Sequence, residues 1–224
     1  MFEKEKELLK RICRKSNAER QNAVENELRS KGVHYENLNG MALVVPAKEE
    51  RKIVLCAHFD AVNGSYGYND NGMAVVTVLQ MLDSLPSNVE AVFTNGEERG
   101  GVGAAYYLDH TDVSRIKGCV NLDVVGCFDQ VYLDTMNCNA AHELTDCKQG
   151  EMPFSDAVRF FDADVPAVCF SSGPSDTTFR EGIMQICSTL HNNYNDNDFE
   201  LLNFAMIAKV IEQTRKMFRL MDAA

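Results

Sequence analysis

The 224-residue chain has no tryptophan, only five prolines, and no pair of cysteines at CxxC spacing. The missing CxxC pair excludes a zinc ribbon and a thioredoxin-type redox motif. The eight cysteines are widely scattered, and several lie in apolar runs where a thiol acts as a small hydrophobic group. We therefore expect reduced, buried thiols and a cytoplasmic location.

Long apolar runs and positive charge are also scarce. No stretch approaches the roughly 20 apolar residues needed to span a bilayer, and the first residues lack the apolar segment of a signal peptide. Basic residues number 22 against 33 acidic residues, which gives a net charge of −11. This charge disfavours nucleic acid and anionic membranes as partners. The sequence leaves the oligomeric state open.

The remaining composition is that of an ordinary globular protein, with 45% hydrophobic and 25% charged residues. A chain of this length predicts a single domain over residues 1–224. Apolar residues at helical spacing predict two helices within residues 1–32, a helix over 71–82 and a long helix over about 198–220. Ser16 with Glu19 predicts a capping box that starts the second helix, and Gly32 predicts its end.

Short apolar segments between these helices predict strands. They cover residues 41–45, 53–57, 89–94, 119–123, 131–133 and 167–170, and we expect the first two to be neighbours. Strands that alternate with helices indicate an α/β fold with a mixed, mostly parallel sheet covered on both faces. The Asn- and Asp-rich residues 191–198 read as a loop that leads into the last helix.

Histidines and carboxylates follow several of these apolar segments, and chemistry in α/β sheets gathers beyond the carboxyl ends of strands. The first set is His58 and Asp60, which share one face because they lie two residues apart in an extended segment. Asp60 can then accept a proton from the ring nitrogen of His58 that faces away from a metal. This pairing predicts a histidine held in one tautomer.

Glu97 and Glu98 are adjacent, so they reach one site only if the chain turns before them, and Gly96 permits that turn. One carboxylate would then be free to bind metal while its neighbour stays available as a proton carrier. Three further candidates lie next to other predicted elements: Asp70 before the helix at 71–82, Asp123 directly after the apolar residues 119–122, and His191 late in the chain.

Taken together these side chains supply the nitrogen and oxygen ligands that Zn²⁺ takes. The candidate ligands are His58, Asp70, Glu98, Asp123 and His191. Carboxylates gathered in one cleft repel each other by roughly 3 kcal/mol per pair at about 5 Å, and divalent cations remove that cost. Without metal we expect some carboxylates to be protonated or the loops to be displaced.

The segments AHFDAV, YNDNG, TNGEERGGVGA and NLDVVG, followed by a late histidine, resemble those of the co-catalytic di-zinc aminopeptidase family. The resemblance covers the chain from residue 53 onwards. It implies a three-layer α/β/α domain and hydrolysis of a peptide or small amide substrate. It also implies a cis peptide between Asp70 and Asn71.

The same resemblance implies two zinc ions per chain, each with its own protein ligands. His58 and Asp123 hold one zinc, Glu98 and His191 hold the other, and Asp70 bridges the two. Glu97 is then the general base that takes a proton from water, and Asp60 orients His58.

Two features depart from the family pattern. Ala157 follows Asp156 where the family commonly has a histidine, and the aspartate after His191, Asp196, lies one place later than usual. Three other functions stay open: a single-zinc glutaminyl cyclase, a deacylase or carboxypeptidase-like hydrolase, and a binding module on the same fold. The missing tryptophan disfavours the cyclase, whose relatives frame their pocket with that residue. The full ligand set disfavours the binding module.

Overall fold

The computed structural model describes residues 2–191 and 195–224. Residues 192–194, part of the loop predicted for 191–198, lie outside the described residues. The helices are α1 (Glu3–Ile12), α2 (Asn17–Ser30), α3 (Met73–Met81), α4 (Val102–Asp109), α5 (Ala157–Asp162), α6 (Phe179–Cys187) and α7 (Met206–Ala223). The strands are β1 (Glu36–Leu38), β2 (Ala42–Val45), β3 (Lys52–His58), β4 (Val89–Thr94), β5 (Ile116–Leu122), β6 (Gln130–Asp134), β7 (Lys148–Gln149) and β8 (Ala167–Gly173).

The strands form one mixed sheet in the order β1-β2-β4-β3-β5-β8-β6-β7. The four central strands β4, β3, β5 and β8 are parallel, whereas β2 pairs antiparallel with β4 and β6 pairs antiparallel with β8. The central strands are apolar along their length because both faces of the sheet are covered. The carboxyl ends of β4, β3 and β5 therefore lie side by side at one edge.

Two hydrophobic cores lie on opposite faces of the sheet. Leu55 and Ala57 of β3 pack with α1, α2, α3 and α7 on one face, whereas Val54 and Cys56 pack with α4 and α5 on the other. This alternation follows from the two-residue period of a strand. The predicted α/β fold with helices on both sides of a mixed sheet is confirmed.

The second helix, α2, begins and ends where its sequence signals indicate. The Ser16 hydroxyl accepts a hydrogen bond from the Glu19 N–H at 3.3 Å and donates one to the Glu19 carboxylate at 2.8 Å, which caps α2. Gly32 follows the end of α2 with a φ of +65°, the left-handed conformation that favours glycine. Both predicted boundaries of α2 are confirmed, but the predicted capping box is only half formed, because the Glu19 carboxylate accepts from the Ser16 hydroxyl and not from the Ser16 N–H.

Two predictions about the sheet and the last helix were wrong. The strands predicted at 41–45 and 53–57 are not neighbours, because β2 takes the outer edge of β4 and β3 takes its inner edge. The last helix begins at Met206 rather than near residue 198. Asn203 donates to the carbonyl oxygens of Gly126 and Phe128 at 2.7 and 2.6 Å, and Leu202 is extended, so the helix cannot start earlier.

Gly103 sets how closely α4 approaches the end of β4, just before the Glu97 turn. A methyl group at this position would lie 2.7 Å from the Asn95 backbone nitrogen and 2.7 Å from the Met41 carbonyl oxygen. Both atoms belong to the backbone and cannot move aside cheaply. Glycine is therefore needed for this packing.

We expect Gly103→Ala to lower the free energy of unfolding by about 1–3 kcal/mol because it overpacks this contact. Urea denaturation measures the change. Asp109→Ala, at the exposed end of the same helix, is the matched control and should change stability by less than about 0.5 kcal/mol. Equal stabilities for Gly103→Ala and the wild type would contradict the packing argument.

Candidate metal centre

The first part of the site is built where two neighbouring parallel strands end. His58 is the last residue of β3, and Asp123 follows β5. The His58 Nε2 atom lies 3.3 Å from Asp123 Oδ1 and 3.2 Å from Asp70 Oδ1. His58 is fully buried and both aspartates are nearly so, which places this group at the inner end of the site.

Asp60 joins His58 to the turn that carries the two glutamates. The His58 Nδ1 atom lies 3.1 Å from the Asp60 carbonyl oxygen and 3.5 Å from its Oδ1 atom, so the backbone of Asp60 is the nearer partner. The Asp60 carboxylate accepts hydrogen bonds from the N–H groups of Glu97 and Glu98 at 3.2 and 3.4 Å. Asp60 thus positions the glutamate turn as well as the imidazole.

The glutamate turn has the glycines that its shape requires. Gly96 precedes it with a φ of +92°, and residues 97–99 form one helical turn. The Gly101 N–H donates to the Glu97 carbonyl oxygen at 3.0 Å and closes the turn. The prediction that Gly96 lets both glutamates reach one site is confirmed in its geometry.

Asp70 lies in the turn before α3, between two asparagines that fix it on both sides. Asn71 donates to the Leu122 carbonyl oxygen and accepts from the Val124 N–H, at 2.9 and 3.1 Å, which ties the turn to the residues around Asp123. Asn69 accepts from the Gly126 N–H at 2.8 Å and donates to the Thr189 hydroxyl at 2.9 Å. The peptide between Asp70 and Asn71 is cis, as the family resemblance implies.

His191 completes the site from a part of the chain that follows α6. Its Nε2 atom lies 3.3 Å from Asp70 Oδ2 and 3.0 Å from Glu98 Oε2. The side chain of His191 is 57% exposed, whereas that of His58 is 1% exposed. The site therefore has a buried end and an open end.

These side chains form two groups that share one residue. His58, Asp70 and Asp123 make one group, and Asp70, Glu98 and His191 make the other; in each, one ligand atom per residue lies within 4.8 Å of the rest. The two oxygens of Asp70 face different histidines. Within residues 2–191 and 195–224, Glu97 belongs to neither group.

The electrostatics of the site reflect several buried carboxylates close together. Burial raises the pKa of Glu97 to about 9, and burial with the charge of Asp70 raises the pKa of Glu98 to about 7. Burial also raises the pKa of Asp123. A hydrogen bond to Asp70 raises the pKa of His191 to about 9. Without cations, the carboxyl groups of Glu97 and Glu98 therefore hold their protons more tightly than usual.

Asp70 behaves differently from the other carboxylates. Burial acts to raise its pKa, but the hydrogen bonds to His191 and His58 outweigh burial and hold the pKa well below its usual value. Asp70 is thus the carboxylate that stays ionised between two imidazoles. Negative charge is concentrated on the residue that the two groups share.

The residues present fit a pair of divalent cations. Each group offers one imidazole nitrogen and two carboxylate oxygens, a donor set suited to Zn²⁺ and to similar ions. The buried Glu98 Oε1 atom has no hydrogen-bond partner among the residues that the structure describes. A buried carboxylate oxygen without a partner is costly, and a bound cation would satisfy it.

A cavity of about 280 Å³ opens beside the two groups. Glu97, Glu98, Asp70, Asp123 and His191 lie at its polar end. The rest of the wall is largely apolar and comes mainly from the segment before α5, from α6 and the residues just after it, and from the ends of β5 and β8. Its apolar residues include Val124, Met152, Phe154, Ile183, Ile186 and Leu190. The cavity can take a molecule whose polar end reaches the carboxylates and whose apolar end lies against α6.

Sequence reasoning placed seven residues in this site, and the structure brings all of them together. It gave no role to the asparagines on either side of Asp70, or to Asp156 and Asp196. Asp156 is buried and accepts a hydrogen bond from the Thr94 hydroxyl. The run of polar residues around Asp70 was the only available signal for the asparagines, and the roles of Asp156 and Asp196 depend on contacts between distant segments.

Comparison with known proteins decides the family. The family model described as Peptidase family M28 matches residues 39–200, which contain every residue of the two groups. The chain belongs to peptidase family M28. The resemblance to the co-catalytic di-zinc aminopeptidase family is confirmed at the level of this peptidase family.

The chain is also similar to a curated protein in sequence and to two solved structures in fold. A vacuolar membrane protease from Candida glabrata is 34% identical over 110 residues, which are 46% of this chain and 12% of that protein. The zinc aminopeptidase from Bacillus subtilis superimposes with a TM-score of 0.62 at 22% identity, covering 77% of this chain and 47% of that one. The glutaminyl cyclase from Porphyromonas gingivalis superimposes with a TM-score of 0.66 at 14% identity, covering 97% and 95%.

This M28 chain spans about an eighth of the length of the curated relative that it matches. The two superpositions show the shared fold. Among the described helices, none is long and apolar enough to cross a membrane. The cytoplasmic location and the single-domain organisation stay predictions.

The raised pKa values predict how the stability of the metal-free M28 chain depends on pH. Glu97 and Glu98 have an ordinary pKa of 4.5 and His191 one of 6.5, so all three bind protons more tightly folded than unfolded. Stability is therefore highest near pH 5 and is lost as the pH rises towards 9. We expect the free energy of unfolding to fall by more than about 1 kcal/mol over this range.

Urea denaturation in excess chelator at pH 5, 7 and 9 measures this trend. Glu97→Gln removes one of the titrating groups and should flatten the dependence. A free energy of unfolding that rises from pH 5 to pH 9 would contradict the electrostatic account.

Proposed function

We propose that the chain is a zinc-dependent metallopeptidase of the aminopeptidase type that hydrolyses a peptide or amide bond. One observation carries the proposal: two ligand groups share Asp70, while Glu97 lies beside them in the cavity and belongs to neither group. Family membership supports peptide hydrolysis. The zinc aminopeptidase from Bacillus subtilis, which has the same fold, supports the choice of metal.

In this proposal His58, Asp70 and Asp123 would hold the first zinc ion. Asp70, Glu98 and His191 would hold the second. Bound at these residues, zinc ions lower the pKa of water and polarise a carbonyl group. Because Asp70 contributes one oxygen to each group, loss of its carboxylate would affect both ions.

Glu97 is the general base in this proposal. Its carboxylate takes a proton from the attacking water and delivers it to the leaving amine. The hydrogen bond from the Glu97 N–H to Asp60 keeps the turn in place while the side chain points into the cavity. Asp60 is thus a positioning residue for both His58 and Glu97.

The cavity favours a substrate with an apolar side chain next to the cleaved bond. Ile183, Ile186 and Leu190 line the wall from the side of α6, and Met152 and Phe154 line it from the side of α5. A charged side chain in this space would lose its hydration without gaining a partner. We therefore propose leucine-like or aromatic residues as the preferred side chains.

Glu97→Gln tests the role of the general base. The amide keeps the size of the side chain but cannot accept the proton, so we expect kcat on leucyl-para-nitroanilide to fall by about 10² to 10⁴. Zinc content should stay at two ions per chain because Glu97 is not a ligand. Glu143→Gln, an exposed residue far along the chain, is the control. Near wild-type turnover of Glu97→Gln would remove Glu97 from the mechanism.

Ile183→Asn tests the apolar wall. A polar group at this position should lower kcat/KM for leucyl-para-nitroanilide about tenfold or more. Glycyl-para-nitroanilide has no side chain to contact the wall, so its kcat/KM should change little. Met184→Asn is the matched control because the neighbouring side chain is 64% exposed and lies outside the cavity wall. An equal loss for both substrates would contradict the specificity assignment.

The same assays separate the alternative functions. Cleavage of leucyl substrates but not of their N-acetylated forms supports an aminopeptidase, and the reverse preference supports a deacylase. Ring closure of an amino-terminal glutamine with release of ammonia, together with one zinc per chain, supports a glutaminyl cyclase. A chain that binds no zinc and cleaves none of these substrates is a binding module.

A further inference from the structure

Asp196 is a buried carboxylate close to the site but outside both ligand groups. It follows His191 by five residues, and only 1% of its surface is exposed. Its Oδ1 atom accepts hydrogen bonds from the N–H groups of Asn69 and Asp70 at 3.1 and 3.0 Å. Its Oδ2 atom accepts one from the Ser65 hydroxyl at 2.7 Å. Asp196 therefore contacts the backbone of the residue that the two groups share.

Further hydrogen bonds join residues 65–70 to residues 196 and 197. The Tyr68 N–H donates to the Asp196 carbonyl oxygen at 3.1 Å, and the Ser65 hydroxyl in turn accepts from the Gly67 N–H at 2.9 Å. The side chain of Asn197 accepts a hydrogen bond from the Tyr66 N–H. The turn over residues 65–70 is thus held at several points by Asp196 and Asn197.

This arrangement has an electrostatic cost. Asp196 and Asp70 are both buried carboxylates, and the nearby charge of Asp70 together with burial raises the pKa of Asp196 to about 6. A buried carboxylate beside another carboxylate persists only where hydrogen-bond donors compensate it. Two of the donors that compensate the Asp196 carboxylate are the N–H groups of Asn69 and Asp70. The same two hydrogen bonds therefore stabilise Asp196 and hold the backbone of Asp70 in place.

We propose that Asp196 is a positioning residue that holds Asp70 between the two ligand groups. The inference rests on the proposed function, because it assumes that Asp70 and His191 bind cations. It goes further by making the two groups dependent on one buried acceptor that binds no cation itself. Removal of that acceptor should weaken both cation sites together.

The central test is the zinc affinity of the whole chain, measured by titration against a competing chelator. Asp196→Ala leaves the Asn69 and Asp70 N–H groups without their acceptor, and we expect both zinc ions to bind about 10 to 100 times more weakly. His191→Ala removes a ligand of one group only, so it should lose one ion and keep the other.

Asp196→Asn shows whether the acceptor itself is responsible. Its amide oxygen can still accept from both N–H groups, so we expect affinity within about threefold of the wild type. Asp198→Ala is the matched control, because Asp198 is exposed and its side chain accepts from the Glu200 N–H. This control should bind zinc as the wild type does.

Ser65→Ala keeps the test decisive if Asp196→Ala does not fold. It removes the hydroxyl that donates to Asp196 while the two N–H contacts remain, so a loss of a few-fold in affinity is expected. Thermal melting in excess chelator checks that each variant is folded before titration.

The outcomes separate this inference from the proposed function. A wild-type chain that binds no zinc overturns the proposed function and with it the inference. If the wild type binds two ions and a folded Asp196→Ala, or Ser65→Ala in its place, binds them equally well, Asp196 has no positioning role. If Asp196→Asn is as weak as Asp196→Ala, the charge and not the acceptor is responsible, and the inference is overturned.

Discussion

The contact on which the site depends is that of one carboxylate with two histidines. Asp70 presents Oδ1 to His58 and Oδ2 to His191, at 3.2 and 3.3 Å, and so joins a strand end to a loop more than a hundred residues later. The other carboxylates are arranged around this contact. Two carboxylates about 5 Å apart repel by roughly 3 kcal/mol in a partly buried environment, so their assembly requires positive charge or protons. In the chain without cations, this requirement appears as the raised pKa values of Glu97 and Glu98, which favour their protonated forms.

The sheet supplies half of this arrangement without special contacts. Because β4, β3 and β5 are adjacent and parallel, the glutamate turn, His58 and Asp123 meet at one edge although they are far apart in sequence. The other half does not come from strand ends. Asp70 precedes a helix and His191 follows one, and both are held through side chains such as Asn69, which bonds to Gly126 and to Thr189. The first half is a consequence of topology, and the second depends on local hydrogen bonds.

This division explains what could be predicted from the sequence. Residues next to strand ends could be placed because apolar segments of strand length mark those ends. The motif around each ligand is also short, so it can be recognised without knowing which distant segments lie beside it. The start of α7 could not be predicted, because it depends on hydrogen bonds from Asn203 to a loop about 75 residues earlier. The position of β2 beside β4 was missed for a similar reason, since proximity in sequence favoured β3. Asp196 could be noticed only as an aspartate in an unusual place, because its partners lie some 130 residues away.

The two ligand groups differ in their access to solvent, and the difference bears on what each can do. The side chains of His58, Asp70 and Asp123 are all buried, so they are fixed by packing and their charges are poorly screened by water. The group of Glu98 and His191 opens to solvent at the exposed imidazole, and the apolar cavity wall from α6 begins just beside it. The open group is therefore the more accessible of the two to solvent, and the buried group is the more tightly packed. Glu97 also lines the cavity, and its backbone N–H is held by the Asp60 carboxylate.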